Sequence, residues 1–179
     1  MIRFIKKLFH ARPVFANSAE GTHAGRITRI LENTVSVRNL LGKIGPTADQ
    51  TSLCGAGDKP LGVITDSGEA GEHVSISLLS ASSTTILLVA SEAILAGQDI
   101  YTSASGKVQN EPTAAGTYYL VGRALTAASG DNTLVEVEAF APRKVIVLNA
   151  FTGNPSTDMA TLGDTFGQAP DKVIVLPGM

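Results

Sequence analysis

Between residues 61 and 140 the chain is broken every few positions by turn formers, and this limits what it can fold into more than any other feature. Leu61-Gly62-Val63-Ile64, Val74-Ser75-Ile76-Ser77-Leu78, Ile86-Leu87-Leu88-Val89, Ile100-Tyr101-Thr102, Tyr118-Tyr119-Leu120-Val121 and Leu134-Val135-Glu136-Val137-Glu138 are short apolar or alternating runs separated by Gly, Ser, Asn and Asp. An ordinary helix needs about 11–12 residues, and the punctuation leaves no chain of such windows. The period of two in Val74–Leu78 and in Leu134–Glu138 is that of a half-buried strand. Strands of this kind must cover their apolar faces with one another. The expected fold class is all-β: a compact antiparallel β-sandwich or barrel, with an N-terminal arm and a C-terminal β-strand extension.

Hairpins are legible at three places. Val63-Ile64 is followed by Ser67-Gly68-Glu69 and then by Val74–Leu78; Arg123-Ala124-Leu125 is followed by Ser129-Gly130-Asp131-Asn132 and then by Leu134–Glu138; Ile100-Tyr101-Thr102 is followed by Ser105-Gly106 and Lys107-Val108. Gly and Asn supply the positive φ that tight turns require. Residues 26–31 and 34–37 read as strands or strand-like arm segments. Ile86–Val89, an unbroken apolar run, reads as a central strand buried on both faces. Residues 91–95 could form one helical turn. Residues 42–60, rich in Gly, Pro, Asp and Thr, read as a long loop.

The pentapeptide Lys-Val-Ile-Val-Leu occurs at residues 144–148 and again at 172–176, each time shortly after a proline, Pro142 and Pro170. Left uncovered, such strands invite aggregation, so Val145, Val147, Val173 and Val175 are candidates for pairing with another subunit or with a partner protein. Pairing within one chain and pairing between chains both remain open. The expected organisation is therefore an arm and linker at 1–25, a β-domain at 26–141 and an extension at 142–179.

The formal charge of −2 excludes nucleic-acid binding by bulk electrostatics. Charged residues make up 17% of the chain, against a usual value of about 25%. So lightly charged a surface suits a protein packed against copies of itself or a partner better than a free, concentrated monomer. The single cysteine, Cys54, excludes an internal disulfide and reads as a small buried apolar residue. No apolar run reaches the roughly 18–20 residues of a membrane-spanning helix.

Charge asymmetry is confined to the first residues. Arg3, Lys6, Lys7 and Arg12 precede any acid, and the first acidic residue is Glu20. On a helix, Met1, Ile2, Phe4, Ile5, Leu8 and Phe9 lie to one side and Arg3, Lys6, Lys7 and His10 to the other. A signal peptide requires 7–15 uninterrupted apolar residues, and the basic residues interrupt them. A membrane-surface helix of this length would bury little area, and a solvated terminus is the plain alternative. The preferred reading is a docking arm, in which Ile2, Arg3, Phe4, Ile5, Lys6, Lys7, Leu8 and Phe9 order on a partner. Pro13 ends any helix near Ala11.

Chemistry is hard to find in this sequence. His10, His23 and His73 share no ligand spacing with one another or with Cys54. Glu136 and Glu138 share a strand face, and Glu69 and Glu72 flank a turn, but solvated strand residues account for both pairs. Gly55-Ala56-Gly57 follows no strong strand and opens no helix, so it is no dinucleotide fingerprint. There is no Gly-x-Ser-x-Gly elbow. No catalytic residue, cofactor or metal is expected, and the chain does not read as an enzyme.

Leu61-Gly62-Val63, Ala70-Gly71-Glu72-His73-Val74, Ala96-Gly97-Gln98-Asp99-Ile100-Tyr101, Ser105-Gly106-Lys107-Val108, Leu120-Val121-Gly122-Arg123-Ala124-Leu125 and Leu134-Val135-Glu136-Val137 occur in this order. In order and spacing they resemble the capsid cement, or head decoration, proteins of tailed bacteriophages, over roughly residues 50–140. The basic arm and the doubled Lys-Val-Ile-Val-Leu tail depart from that pattern. The resemblance implies a structural protein of the virion, made in the host cytoplasm, that clamps the outer capsid surface at capsomer junctions against the pressure of packaged DNA. Its implied partners are the major capsid protein and itself, as a homo-oligomer with a trimer favoured, with no direct nucleic acid and no membrane. The alternative is a secreted or surface-exposed β-scaffold binding module, adhesive or carbohydrate-binding, which would need the first residues as an export signal and would normally display more aromatic side chains.

Overall fold

The computed structural model describes residues 25–81 and 83–148, together with the backbone of 172–175. Five short strands close into a barrel: β1 (Arg26–Leu31), β2 (Leu40–Ile44), β3 (Gln50–Leu53), β4 (Gly62–Ile64) and β5 (His73–Leu78), in the order β1-β3-β2-β4-β5 and back to β1. β1 meets β3 in parallel; the other pairings are antiparallel. Alternation puts Ile27, Leu31, Leu40, Ile64, Val74 and Ile76 inside, and Val35 closes one end.

The rest of the chain builds a mixed sheet. Its strands are β6 (Ile86–Val89), β8 (Asp99–Thr102), β9 (Val108–Gln109), β10 (Gly116–Ala124), β12 (Leu134–Leu148) and β13 (Lys172–Val175), and β7 (Ala93–Ile94) forms a separate ribbon with β11 (Ala128–Ser129). The order is β13-β12-β10-β8-β9. β6 lies beside the first half of β12, on the edge away from β10, and β13 pairs with its last residues. Short 3-10 turns occupy Leu79–Ala81 and Ala104–Gly106, and the described residues contain no α-helix. The all-β expectation and all three hairpins hold: β4 pairs with β5, β8 with β9, and β10 with β12.

Barrel and sheet interlock rather than merely touch. Leu41, Cys54 and Val63 leave the barrel wall to join Leu88, Ile100, Val121, Val135 and Val137 in the sheet's core, while Val89 of β6 enters the barrel cluster. Val89 N–H donates to Asn39 O at 3.1 Å, and Gly106 N–H donates to Cys54 O at 2.7 Å. Thr102 is fully buried; its hydroxyl donates to Ala56 O and accepts from Tyr119 N–H at 2.9 Å. Gly106 has φ +75°, and a Cβ there would lie 2.8 Å from Leu41 O, so this contact admits only glycine without rearrangement.

Several local expectations are corrected. The stretch 42–60 is not one long loop: it contains most of β2 and all of β3, hidden from sequence reading by polar Gln50, Thr51 and Ser52. Thr51 points inward because its hydroxyl is satisfied by Lys43 O at 2.9 Å. Residues 34–37 form no strand; Val35 makes a single bridge to Gly68 and Val37 is exposed. β6 is neither central nor covered on both faces: among the described residues it pairs with β12 alone, and Leu87 is half exposed while Leu88 is buried. Residues 91–95 contain strand β7 rather than a helical turn, with Ile94 driven into the core. β12 runs unbroken through Ala141 and Pro142, the point where the extension was expected to begin. Leu120 pairs with Arg143 and Gly122 with Ala139, so residues 140–142 bulge opposite Val121. On the other edge the β6 pairing ends at Val137 and the β13 pairing begins at Val145. Pro142 therefore sits where the ladder is interrupted on both sides, a place proline tolerates.

Candidate functional site

An outward sheet face stands out among the described residues. Glu136 of β12 pairs directly with Leu87 of β6, and on its other side its carbonyl accepts Leu125 N–H at 2.7 Å, one residue past the end of β10. Side chains opposite one another across a ladder share a face, as do residues two apart along a strand. Leu87, Glu136 and Leu125 thus form a row, with Leu134 beside it. Leu87 is 45% exposed, Leu125 44% and Leu134 49%, so half of each side chain remains in water. Their inward-facing neighbours Leu88, Val135 and Val137 are fully buried.

Polar groups frame these leucines. Thr85 Oγ1 donates to Glu136 Oε1 at 2.7 Å. Glu138, exposed, lies opposite Arg123, whose Nε is 3.4 Å from Asp99 Oδ1. Toward the barrel the face continues into a groove of about 220 Å³ bordered by Arg26, Asn39, Thr65, Ser77, Thr85 and Leu87. A second hollow of about 360 Å³ lies among Gln98, Asp99, Tyr101, Glu111 and Arg123.

Among the described residues, the titratable groups whose pKa is shifted serve the fold. The described residues hold no cluster of three or more His, Cys, Asp or Glu arranged for a metal. Cys54 is buried, and burial pushes its thiol pKa up to about 12, which leaves it protonated and unreactive. Lys43 Nζ donates to Asp58 Oδ2 at 2.7 Å, and Gly55 N–H donates to the same oxygen at 2.9 Å. The lysine bond, with the backbone N–H, holds the Asp58 carboxyl below its ordinary range and raises Lys43. Lys107 does the same to Asp131. These groups pin loops in place.

The expected arm residues Ile2, Arg3, Phe4, Ile5, Lys6, Lys7, Leu8 and Phe9 lie outside the described residues. The two Lys-Val-Ile-Val-Leu segments do come together: β12 and β13 run parallel within one chain, with Val173 opposite Ile146 and Val175 opposite Leu148. Val145 and Val147 are buried, and Val145 packs with Tyr101 and Leu120. Among the described residues the far edge of β13 has no neighbouring strand. Leu87, Leu125 and Leu134 escaped sequence reading. Leu87 was hidden in an apolar run, but Leu134 occupies the same phase as Glu136 and Glu138, and that phase was the available signal for an outward leucine.

No curated protein matches this sequence. In fold, the chain is similar to the N-terminal base of the head fiber protein gp8.5 of bacteriophage phi29: 14% identity, 65% of this chain and 94% of that one covered, TM-score 0.52. That likeness is one of architecture. The sequence profile of the phage cement proteins matches residues 40–139, from β2 of the barrel through the first half of β12, and the chain belongs to that family.

Proposed function

We propose that this protein binds the outer surface of a phage capsid at junctions between capsomers and holds the shell against the pressure of packaged DNA. The observation that carries the reading is the family match over both the barrel and the sheet. The low share of charged residues and the outward leucines of the β6–β12–β10 face support it, because cementing requires area that can be hidden from water. A specific interface buries about 1,600 Å² in total. A homo-oligomer, a trimer for preference, touches several capsid subunits at once and gains through effective concentration without any new kind of contact. The major capsid protein is the partner in this reading. The amino-terminal residues Ile2–Phe9 add apolar area to the contact, and Val173 and Val175 lie on the strand whose far edge, without a neighbour among the described residues, can accept another.

Phe4, Ile5, Leu8 and Phe9 bring apolar area to the contact, and the conformational entropy lost in ordering the segment offsets most of that gain. The net is small, so deleting residues 1–12 should weaken attachment to purified shells by about tenfold, equivalent to about 1.4 kcal/mol. The thermal midpoint of the free protein should stay nearly unchanged. Cosedimentation with shells lacking the protein measures the first quantity and calorimetry the second. Full-length protein that fails to bind such shells overturns the cementing role itself.

A further inference from the structure

The groove beside β6 starts where the described chain starts. Arg26, the first residue of β1, forms one of its borders, and Leu87, the first of the three outward leucines, forms another. The groove thus borders both the first residue of β1 and Leu87, the end of the outward row that continues to Leu125 and Leu134. The turn carrying exposed Leu95 is tied to the same region, through Gly97 N–H donating to Ala124 O at 2.7 Å.

We infer that in the unbound protein the chain's own amino-terminal segment lies on this face, with Phe4, Ile5, Leu8 and Phe9 against Leu87, Leu125 and Leu134. Charge agrees with this placement. Glu136 and Glu138 face outward among the leucines, and Arg123 on the same face is already engaged with Asp99. The segment brings Arg3, Lys6, Lys7 and Arg12 and no acid before Glu20. Reach agrees as well: the 17 residues from Phe9 to Arg26 span up to about 55–60 Å when extended. A contact too weak to form between separate molecules is populated when both parts belong to one chain, because the tether holds the effective concentration near the millimolar range. The contact concerns the free protein and stands independently of any shell.

The test uses the full-length chain with a nitroxide at Ala11→Cys. Cys54 is buried and protonated, so the new cysteine takes the label. Methyl NMR should show Leu87, Leu125 and Leu134 broadened strongly and Leu53 and Leu61 of the barrel much less. Leu125→Lys or Leu134→Lys, both at half-exposed positions that the fold tolerates, should abolish the preferential broadening. Uniform broadening, or none, overturns the contact. Mixing spin-labelled, isotopically silent protein with unlabelled, methyl-enriched protein gives the remaining outcome: the same three leucines broadened in the mixture would mean that a second copy supplies the segment, which overturns placement within one chain.

Discussion

Gly106 offers a direct test of whether barrel and sheet form one interlocked body. Replacing it by alanine incurs two separable costs. The first is conformational: at φ +75° an L-residue occupies the left-handed region, at about 1–2 kcal/mol. The second is steric: the new Cβ would lie 2.8 Å from Leu41 O and 3.0 Å from Leu40 Cβ. Backbone cannot swing aside as a flexible side chain can, and overpacking of this kind costs about 1–3 kcal/mol. The expected total is about 2–5 kcal/mol. Gly97 supplies the control, because its φ is +87° and a Cβ there meets nothing within 4 Å, so Gly97→Ala incurs the first cost alone. Urea unfolding of both variants, followed by circular dichroism, reads the difference, expected at about 1–3 kcal/mol with Gly106→Ala the less stable. Equal losses would refute the claim that the β8–β9 turn is wedged against β2, and with it the interlocking of the two parts.

Cys54 should resist thiol reagents at pH 8.5 in the folded protein and react at once in denaturant. Its raised pKa also has a stability consequence: below about pH 8.5 both states are protonated and nothing changes, whereas above it the unfolded thiol ionises first and stability declines toward pH 12. Asp58→Ala removes both the Lys43 and the Gly55 bonds from a half-exposed site and should cost about 1 kcal/mol, read by urea titration. Because the Asp58 pKa is lowered in the fold, this contribution is present at neutral pH and lost on acidification below the ordinary carboxylate range, so wild type and variant should converge in acid. Truncation after residue 170 removes β13 and opens the last residues of β12, Val145–Leu148; light scattering on warming should rise well before that of the full chain. Val147→Lys, by contrast, buries a charge at a site 1% exposed and should unfold the protein rather than merely separate subunits.

Turn chemistry and period-two alternation made the β4–β5, β8–β9 and β10–β12 pairings legible, because Gly, Asn and alternating valines state their geometry locally. β3 was not legible. Its Gln50, Thr51 and Ser52 form a strand because the barrel needs a fifth stave, and Thr51 finds Lys43 O once it is there. The unbroken run Ile86–Val89 concealed an edge: apolarity on both sides of a strand reads as burial whether the second face meets the core or water. A proline at 142 reads locally as an interruption of a strand, yet β12 continues through it because the ladder is already interrupted there on both sides. The outward leucines carried a faint signal in strand phase. Which face they shared, and that it adjoins the groove at Arg26, depended on pairings between residues far apart in the chain.

β12 binds β10 along one edge and β6 and β13 along the other. Tension applied along its length meets hydrogen bonds set crosswise to the pull in two blocks, one on each side of the bulge at residues 140–142, and within each block they must rupture together rather than peel open in succession. The molecule is thereby suited to carry shear through one strand gripped at two places, as a bolt is held by two nuts.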